Sequence, residues 1–285
     1  MVVQLSNSDA SVRIAPELGA SLLSYRLNDG RHILRPTPDA TDAFRTACYL
    51  LVPWCNRIEN RITLSDGRSH AIAPTHPDHA LPIHGSAALS AWSVETATQE
   101  IAVLSTVCDW PAPFHYRAEV RYTLNGSTLR IDLSVTHLGK ATLPYGLGLH
   151  PWFVRSRETR LQARADTWQR TDARQIPVGD EAVSNVHGND FNRFSALPDG
   201  VIDTAFGGWD GTAILQIDEG LTVRITTDPA LRHYQVYSTG ADADFVCFEP
   251  VSHPVNAHNM AGHPGLALLS QGETKTTTVT LTPEP

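Results

Sequence analysis

Tyr116-Arg117-Ala118-Glu119-Val120-Arg121-Tyr122-Thr123-Leu124-Asn125-Gly126-Ser127-Thr128-Leu129-Arg130-Ile131-Asp132-Leu133-Ser134-Val135 is the stretch that decides the fold class. Apolar residues occupy every second position from Tyr116 to Leu124 and again from Leu129 to Val135. Side chains of a strand alternate between faces, so each run predicts a strand with one face buried. Asn125-Gly126 lies between the runs. An Asn-Gly pair predicts a tight hairpin of type I′, whose two central residues both need positive φ.

The pattern repeats outward from this hairpin. Ile62 and Leu64, then Asp66-Gly67, then Ala71 predict a second hairpin, and Ile214 to Ile225 around Asp218-Glu219-Gly220 a third. The tail Lys275, Thr277, Val279 and Leu281 alternates too, and its threonines favour a strand. Helical periodicity is scarce, with short turns predicted only near Asp42–Tyr49 and Glu181–Phe194. Arg155–Gly200 reads as polar and irregular, without a Gly/Ser linker or an internal repeat. The expectation is one all-β domain across residues 1–285, closed as a large antiparallel sandwich or barrel.

Composition removes several classes of function. The net charge of −8 comes from 22 basic and 30 acidic residues, and no basic stripe suited to nucleic acid is visible. No apolar run approaches the roughly 20 residues that span a bilayer. Met1 to Asp9 lacks the basic and apolar regions of an export signal. Cys48, Cys55, Cys108 and Cys247 form no Cys-x-x-Cys pair, which predicts reduced thiols in a cytoplasmic protein.

Four polar interruptions of apolar sequence are candidate chemistry. In Leu51-Val52-Pro53-Trp54-Cys55-Asn56-Arg57-Ile58, Arg57 is a buried ion-pair partner, a donor reaching into a pocket, or an edge arginine in water. In Leu81-Pro82-Ile83-His84-Gly85-Ser86, His84 either faces a ligand or bonds a carbonyl in a loop. In Tyr145-Gly146-Leu147-Gly148-Leu149-His150-Pro151-Trp152-Phe153, two glycines permit close backbone approach and His150 must find a partner. The rings after it, Trp152 included, suit a sugar-stacking wall or plain core. In Phe245-Val246-Cys247-Phe248-Glu249-Pro250, Glu249 ends a buried strand before proline. It is a candidate base raised by desolvation, or a salt-bridged strand end partnered by Arg57.

Metal ligation is not predicted. His76, His79 and His84, like His253, His258 and His263, match no His-Glu-x-x-His or Cys/His zinc spacing. Gly-x-Ser-x-Gly, phosphate-binding loops and Gly-x-Gly-x-x-Gly are absent from the sequence.

Taken in order, these segments resemble the aldose 1-epimerase (galactose mutarotase-like) family. The likeness rests on Asn56-Arg57-Ile58, Ile83-His84-Gly85, Gly148-Leu149-His150-Pro151-Trp152-Phe153, Ile202-Asp203-Thr204-Ala205-Phe206, and Phe248-Glu249-Pro250 with Asn256-Ala257-His258-Asn259. It runs from Val12 to Leu281 and implies a large antiparallel β-supersandwich. It also implies Glu249 as general base, His150 as general acid, and His84, Arg57, Asp203 and Asn56 as substrate-positioning residues. Departures fall on the pocket walls and bear on which sugar is used. Gly-Ser follows His84, Pro-Trp follows His150, Asp203 has no acidic neighbour, and the arginine cluster of the hexose-6-phosphate branch is not evident.

The implied reaction interconverts the α and β anomers of a free aldose. A carboxylate and an imidazole on opposite sides of the ring deprotonate the C1 hydroxyl and protonate the ring oxygen; the opened aldehyde rotates and recloses with the roles reversed. No cofactor is needed, because only protons move. The expected partner is a monosaccharide, with no nucleic acid and no membrane, and the protein is a monomer or homodimer. Competing expectations are a sugar-phosphate epimerase, a sugar lactone hydrolase and a non-catalytic carbohydrate-binding protein.

Overall fold

The computed structural model describes residues 1–64, 67–185 and 190–284. Strand accounts for 51% of it and helix for 5%, the helical part being short 3-10 turns. Among the described residues, most strands belong to an eleven-stranded and a nine-stranded antiparallel sheet. Their apolar faces share one core, from Val12 and Leu22 on one sheet to Val120 and Tyr122 on the other. The large antiparallel sandwich is as expected.

The deciding hairpin forms from strands Tyr116–Asn125 and Thr128–His137 at the middle of the nine-stranded sheet. Its inward residues, Tyr116 to Leu124 and Leu129 to Val135, are buried. Each large apolar side chain there contributes about 1.5–3 kcal/mol by leaving water. The Tyr122 hydroxyl, buried in this core, donates to Ala20 O at 2.8 Å.

The turn differs from the expectation by one residue. Asn125 pairs with Thr128, so the loop is Gly126-Ser127, and only Gly126 has positive φ, at 56°. Glycine at the first central position is the requirement of a II′ turn rather than I′. This register sets Leu124 against Leu129 and Tyr122 against Ile131, whereas an Asn125-Gly126 loop would leave Leu124 opposite Ser127.

The second hairpin pairs Arg61–Thr63 with Ser69–Ala71, although Asp66 of its turn lies outside the described residues. The third pairs Thr212–Asp218 with Leu221–Thr227. The tail forms Thr274–Glu284. The turn expected near residue 42 is Ala43–Arg45, capped by the Asp42 carboxylate, which accepts from Phe44 N at 2.9 Å. Val183–Asn185 is a 3-10 turn, and part of the Glu181–Phe194 expectation lies outside the described residues.

Two readings are corrected. Arg155–Gly200 is not irregular throughout, for Thr167–Thr171 and Pro177–Ala182 form the edge of the eleven-stranded sheet. An edge strand buries little, so its polar sequence hides the alternation. Glu249 does not end its strand either; Phe245–Val251 continues through Pro250 and is buried at every residue. Being central, it is covered on both faces and shows no alternation.

Candidate active site

The strand neighbours Cys48–Leu51, Gly148–Val154, Phe245–Val251, His233–Ser238 and Ile202–Gly207 lie side by side in that order. Register then does the assembly. Tyr49 pairs with His150, and Glu249 with Gln235. The pairs Gly148–Val251 and Trp152–Cys247 bracket His150 and Glu249, setting them opposite each other. The next row runs Trp152, Cys247, Tyr237, Asp203.

Over these rows lies a cleft of about 810 Å³. All seven residues singled out from the sequence line it: Asn56, Arg57, His84, His150, Trp152, Asp203 and Glu249. At its floor His150 Nε2 stands 3.2 Å from Glu249 Oε1, both side chains being almost wholly buried. The expectation placed these groups on opposite sides of a sugar ring; in the fold they stand side by side and touch. The remaining carboxylate oxygen, Oε2, is buried with no hydrogen-bond partner among the described residues, and so is His150 Nδ1.

Burial governs the electrostatics. It pushes Glu249 well above the ordinary carboxylate range, with help from the Asp203 charge and against the pull of Arg57. It lowers His150 to about 3. Both shifts disfavour charge, so they favour one proton on the pair, carried by the Glu249 carboxyl beside a neutral imidazole.

Segments 52–58 and 82–86 form the next wall. Asn56 N donates to His84 Nδ1 at 3.1 Å, and His84 N donates to Asn56 O at 3.1 Å. Asn56 and His84 both have positive φ, 53° and 58°. Gly85 is required beside them: its φ is 70°, and a Cβ there would meet Val52 O at 2.1 Å. Asn56 Oδ1 accepts from Arg57 N at 2.6 Å and from Arg57 Nη1 at 3.2 Å, which anchors the guanidinium. Burial, followed by the nearby His150 and Arg57, drives His84 well below the usual imidazole range, so it is a neutral hydrogen-bonding group.

Asp203 stands at the exposed edge of the cleft, where its Oδ2 accepts from Gln175 Nε2 at 2.6 Å. Trp152 is half-buried, and its ring already carries the Arg35 guanidinium at 4.3 Å and Phe245 at 4.4 Å. Among the described residues, no three His, Cys, Asp or Glu side chains stand together as a metal site. The four cysteines are free and buried. An arrangement of one shared proton, flanked by neutral and cationic donors, can move protons on a polyhydroxylated ligand.

The sequence description of the aldose 1-epimerases matches residues 1–282. The chain belongs to the aldose 1-epimerase family. It is 30% identical over 260 residues to the uncharacterized protein YphB of Escherichia coli K12, covering 89% of each chain. A 1.59 Å crystal structure of a candidate aldose 1-epimerase from the same organism superposes with a TM-score of 0.94 at 28% identity, over 100% of this chain and 99% of that one. A galactose mutarotase-like protein from Clostridium acetobutylicum shares the fold, with a TM-score of 0.84 at 19% identity, over 99% of this chain and 94% of that one.

Within this family member, sequence reading missed Gln235, Tyr49, Gln175 and Arg35. Gln235 is buried beside Glu249, and its Oε1 accepts from Asn56 Nδ2. The signal was present: a lone amide between Tyr234 and Val236 in a buried run must find a partner. Tyr49 and Arg35 carried no such mark, since their roles depend on strands distant in sequence. No helix among the described residues is long and apolar enough to cross a membrane.

Proposed function

We propose that this protein is an aldose 1-epimerase that interconverts the anomers of a free aldose, with Glu249 and His150 as its proton-transfer pair. The observation that carries this reading is the contact of 3.2 Å between His150 Nε2 and Glu249 Oε1 on the floor of an open cleft. The C1 hydroxyl oxygen and the ring oxygen of a cyclic aldose share one carbon. Two groups that serve them together must therefore be near neighbours, as these are.

The proton count closes. Glu249, as carboxylate, takes the C1 hydroxyl proton while His150, protonated, delivers its proton to the ring oxygen. The C1–O5 bond breaks and the C1 carbonyl forms. The pair still holds one proton, now on Glu249. After rotation about C1–C2, His150 removes the C5 hydroxyl proton and Glu249 returns one to the carbonyl oxygen, which restores the starting state with C1 inverted. Burial favours the neutral arrangement. The pull of Arg57 on Glu249 opposes it and helps supply the carboxylate that ring opening needs. Arg57, His84, Asn56 and Asp203 hold sugar hydroxyls, their donors and acceptors being fixed before the ligand arrives.

Adding the protein to freshly dissolved α-anomers of several aldoses and following optical rotation tests the reading. Acceleration of the approach to equilibrium is expected for at least one of them. No acceleration with any aldose, despite saturable sugar binding, would leave a binding protein instead.

A further inference from the structure

Five rings on the cleft wall form one stacked column. His76 lies 4.8 Å from Phe44 at 24°, and Phe44 lies 5.0 Å from Tyr49 at 25°. Tyr49 lies 4.4 Å from His150 at 23°, and His150 lies 5.5 Å from Trp152 at 20°. The Arg35 guanidinium closes the column over Trp152. The order follows from local structure. Tyr49 and His150 are cross-strand partners, and Trp152 lies two residues beyond His150 on the same face. Asp42 secures the far end twice, capping the turn that carries Phe44 and standing 3.5 Å from His76 Nε2.

An imidazole that must present one nitrogen is usually oriented by a hydrogen bond at the other. His150 has at most its own main chain for that restraint, because no other described residue hydrogen-bonds its buried Nδ1. Rotation of the ring about its Cβ–Cγ bond would carry Nε2 away from Glu249. What opposes that rotation is the near-parallel face of Tyr49, with the ring of His84 edge-on at 5.2 Å and 80°.

We propose that Tyr49 is the positioning residue of the proton-transfer pair, fixing the plane of His150 by stacking where other histidine sites use a hydrogen bond. This rests on the reading of His150 as the acid. Trp152 supports the ring from its other neighbour in the column. Neither Tyr49 nor Trp152 takes or gives a proton in the reaction.

The test compares Tyr49→Leu with Tyr49→Phe. Leucine removes the face and phenylalanine keeps it. In Tyr49→Leu, kcat should fall about tenfold to a hundredfold, the scale of a misplaced reacting group, with KM little changed. Tyr49→Phe should recover most of the loss. Nitrogen-15 NMR of His150 reads the same point without activity: its Nε2 signal should lose the signature of the Glu249 contact in Tyr49→Leu and keep it in Tyr49→Phe. Because Tyr49 is buried, Trp152→Leu against Trp152→Phe, at a half-buried position, gives a second comparison, with a smaller loss expected in the same direction. A folded Tyr49→Leu protein with wild-type kcat and an unchanged His150 signal would overturn the proposal. So would a rise in KM at constant kcat, which would make Tyr49 a sugar contact. If His150→Asn itself left the rate unchanged, the assignment of the acid would fail, while the NMR comparison would still judge the stacking.

Discussion

His150 and Glu249 face each other across two adjacent strands, and each is followed by a proline, Pro151 and Pro250. The ladder between these strands is paired at Gly148–Val251 and again at Trp152–Cys247. Between those points the prolines supply no N–H, so the strands meet there through side chains. A polar pair is thus set into the middle of a buried sheet without competing for ladder bonds.

Removing either member of the pair should remove turnover and spare binding. Glu249→Gln and His150→Asn are each expected to lower kcat by about 10²–10⁴-fold. The double variant should lose less than the product of the two, since both act in one relay. Anomeric exchange by NMR reads the rate, and calorimetric sugar titration the binding. Near wild-type exchange by Glu249→Gln would end the assignment of this carboxylate.

The positioning residues should divide differently. Arg57→Ala and Asp203→Asn leave the proton pair in place and weaken the hold on hydroxyls, so KM should rise by more than kcat falls. Steady-state kinetics with a saturable aldose gives the split. A fall in kcat alone would move Arg57 or Asp203 into the chemistry.

The pH profile follows from the single shared proton. A second proton must go onto a group held at about 3 by burial, so the acid limb should lie well below the ordinary imidazole value. Loss of the last proton is opposed by the raised Glu249, which sets the alkaline limb above the ordinary carboxylate range. The value of kcat/KM should be level between the two. An acid limb at the ordinary imidazole pKa near 6.5 would contradict this.

Stability should fall in mild acid. His84, His150, His253 and His258 are buried with their pKa values lowered, His253 to about 4. A group depressed in the folded state stabilises above its unfolded pKa, and that contribution is lost as pH falls toward the folded value. Glu249 is raised and works in the opposite sense, holding a proton in the folded state that the unfolded chain has lost. Near pH 5 the four imidazoles outweigh Glu249, so the unfolded chain should bind more protons than the folded one and stability should fall with pH. Urea denaturation between pH 5 and 8 measures it. A flat dependence would mean that these imidazoles ionise in the folded protein.

Gly85→Ala should be costly at a distance from the chemistry. The new Cβ would collide with the Val52 carbonyl in a left-handed backbone conformation. A loss of about 2 kcal/mol or more is expected, with weaker sugar binding as His84 is displaced. Denaturation and KM report the two effects separately.

Much of this was legible in the sequence because it is local. Alternation from Tyr116 to Val135 records which face of each strand meets the core, and Asn125-Gly126 marks the reversal. Arg57, His84, His150 and Glu249 stood out because each is polar inside or beside apolar sequence, whereas Asp203 came only with the family resemblance. The neighbours of each strand were not legible. Tyr49, His150, Glu249 and Gln235 form one row only because strands far apart in the chain pair in a particular register. Register depends on how both sheets fill the shared core, which no single segment encodes. The same cause explains the one-residue shift at Gly126, while place in the sheet, at its edge or its centre, explains the strands within Arg155–Gly200 and the continuation through Pro250. The residues that carry the proposed chemistry were therefore written in the chain, whereas tertiary packing alone brought His150 into contact with Glu249 and against the ring of Tyr49.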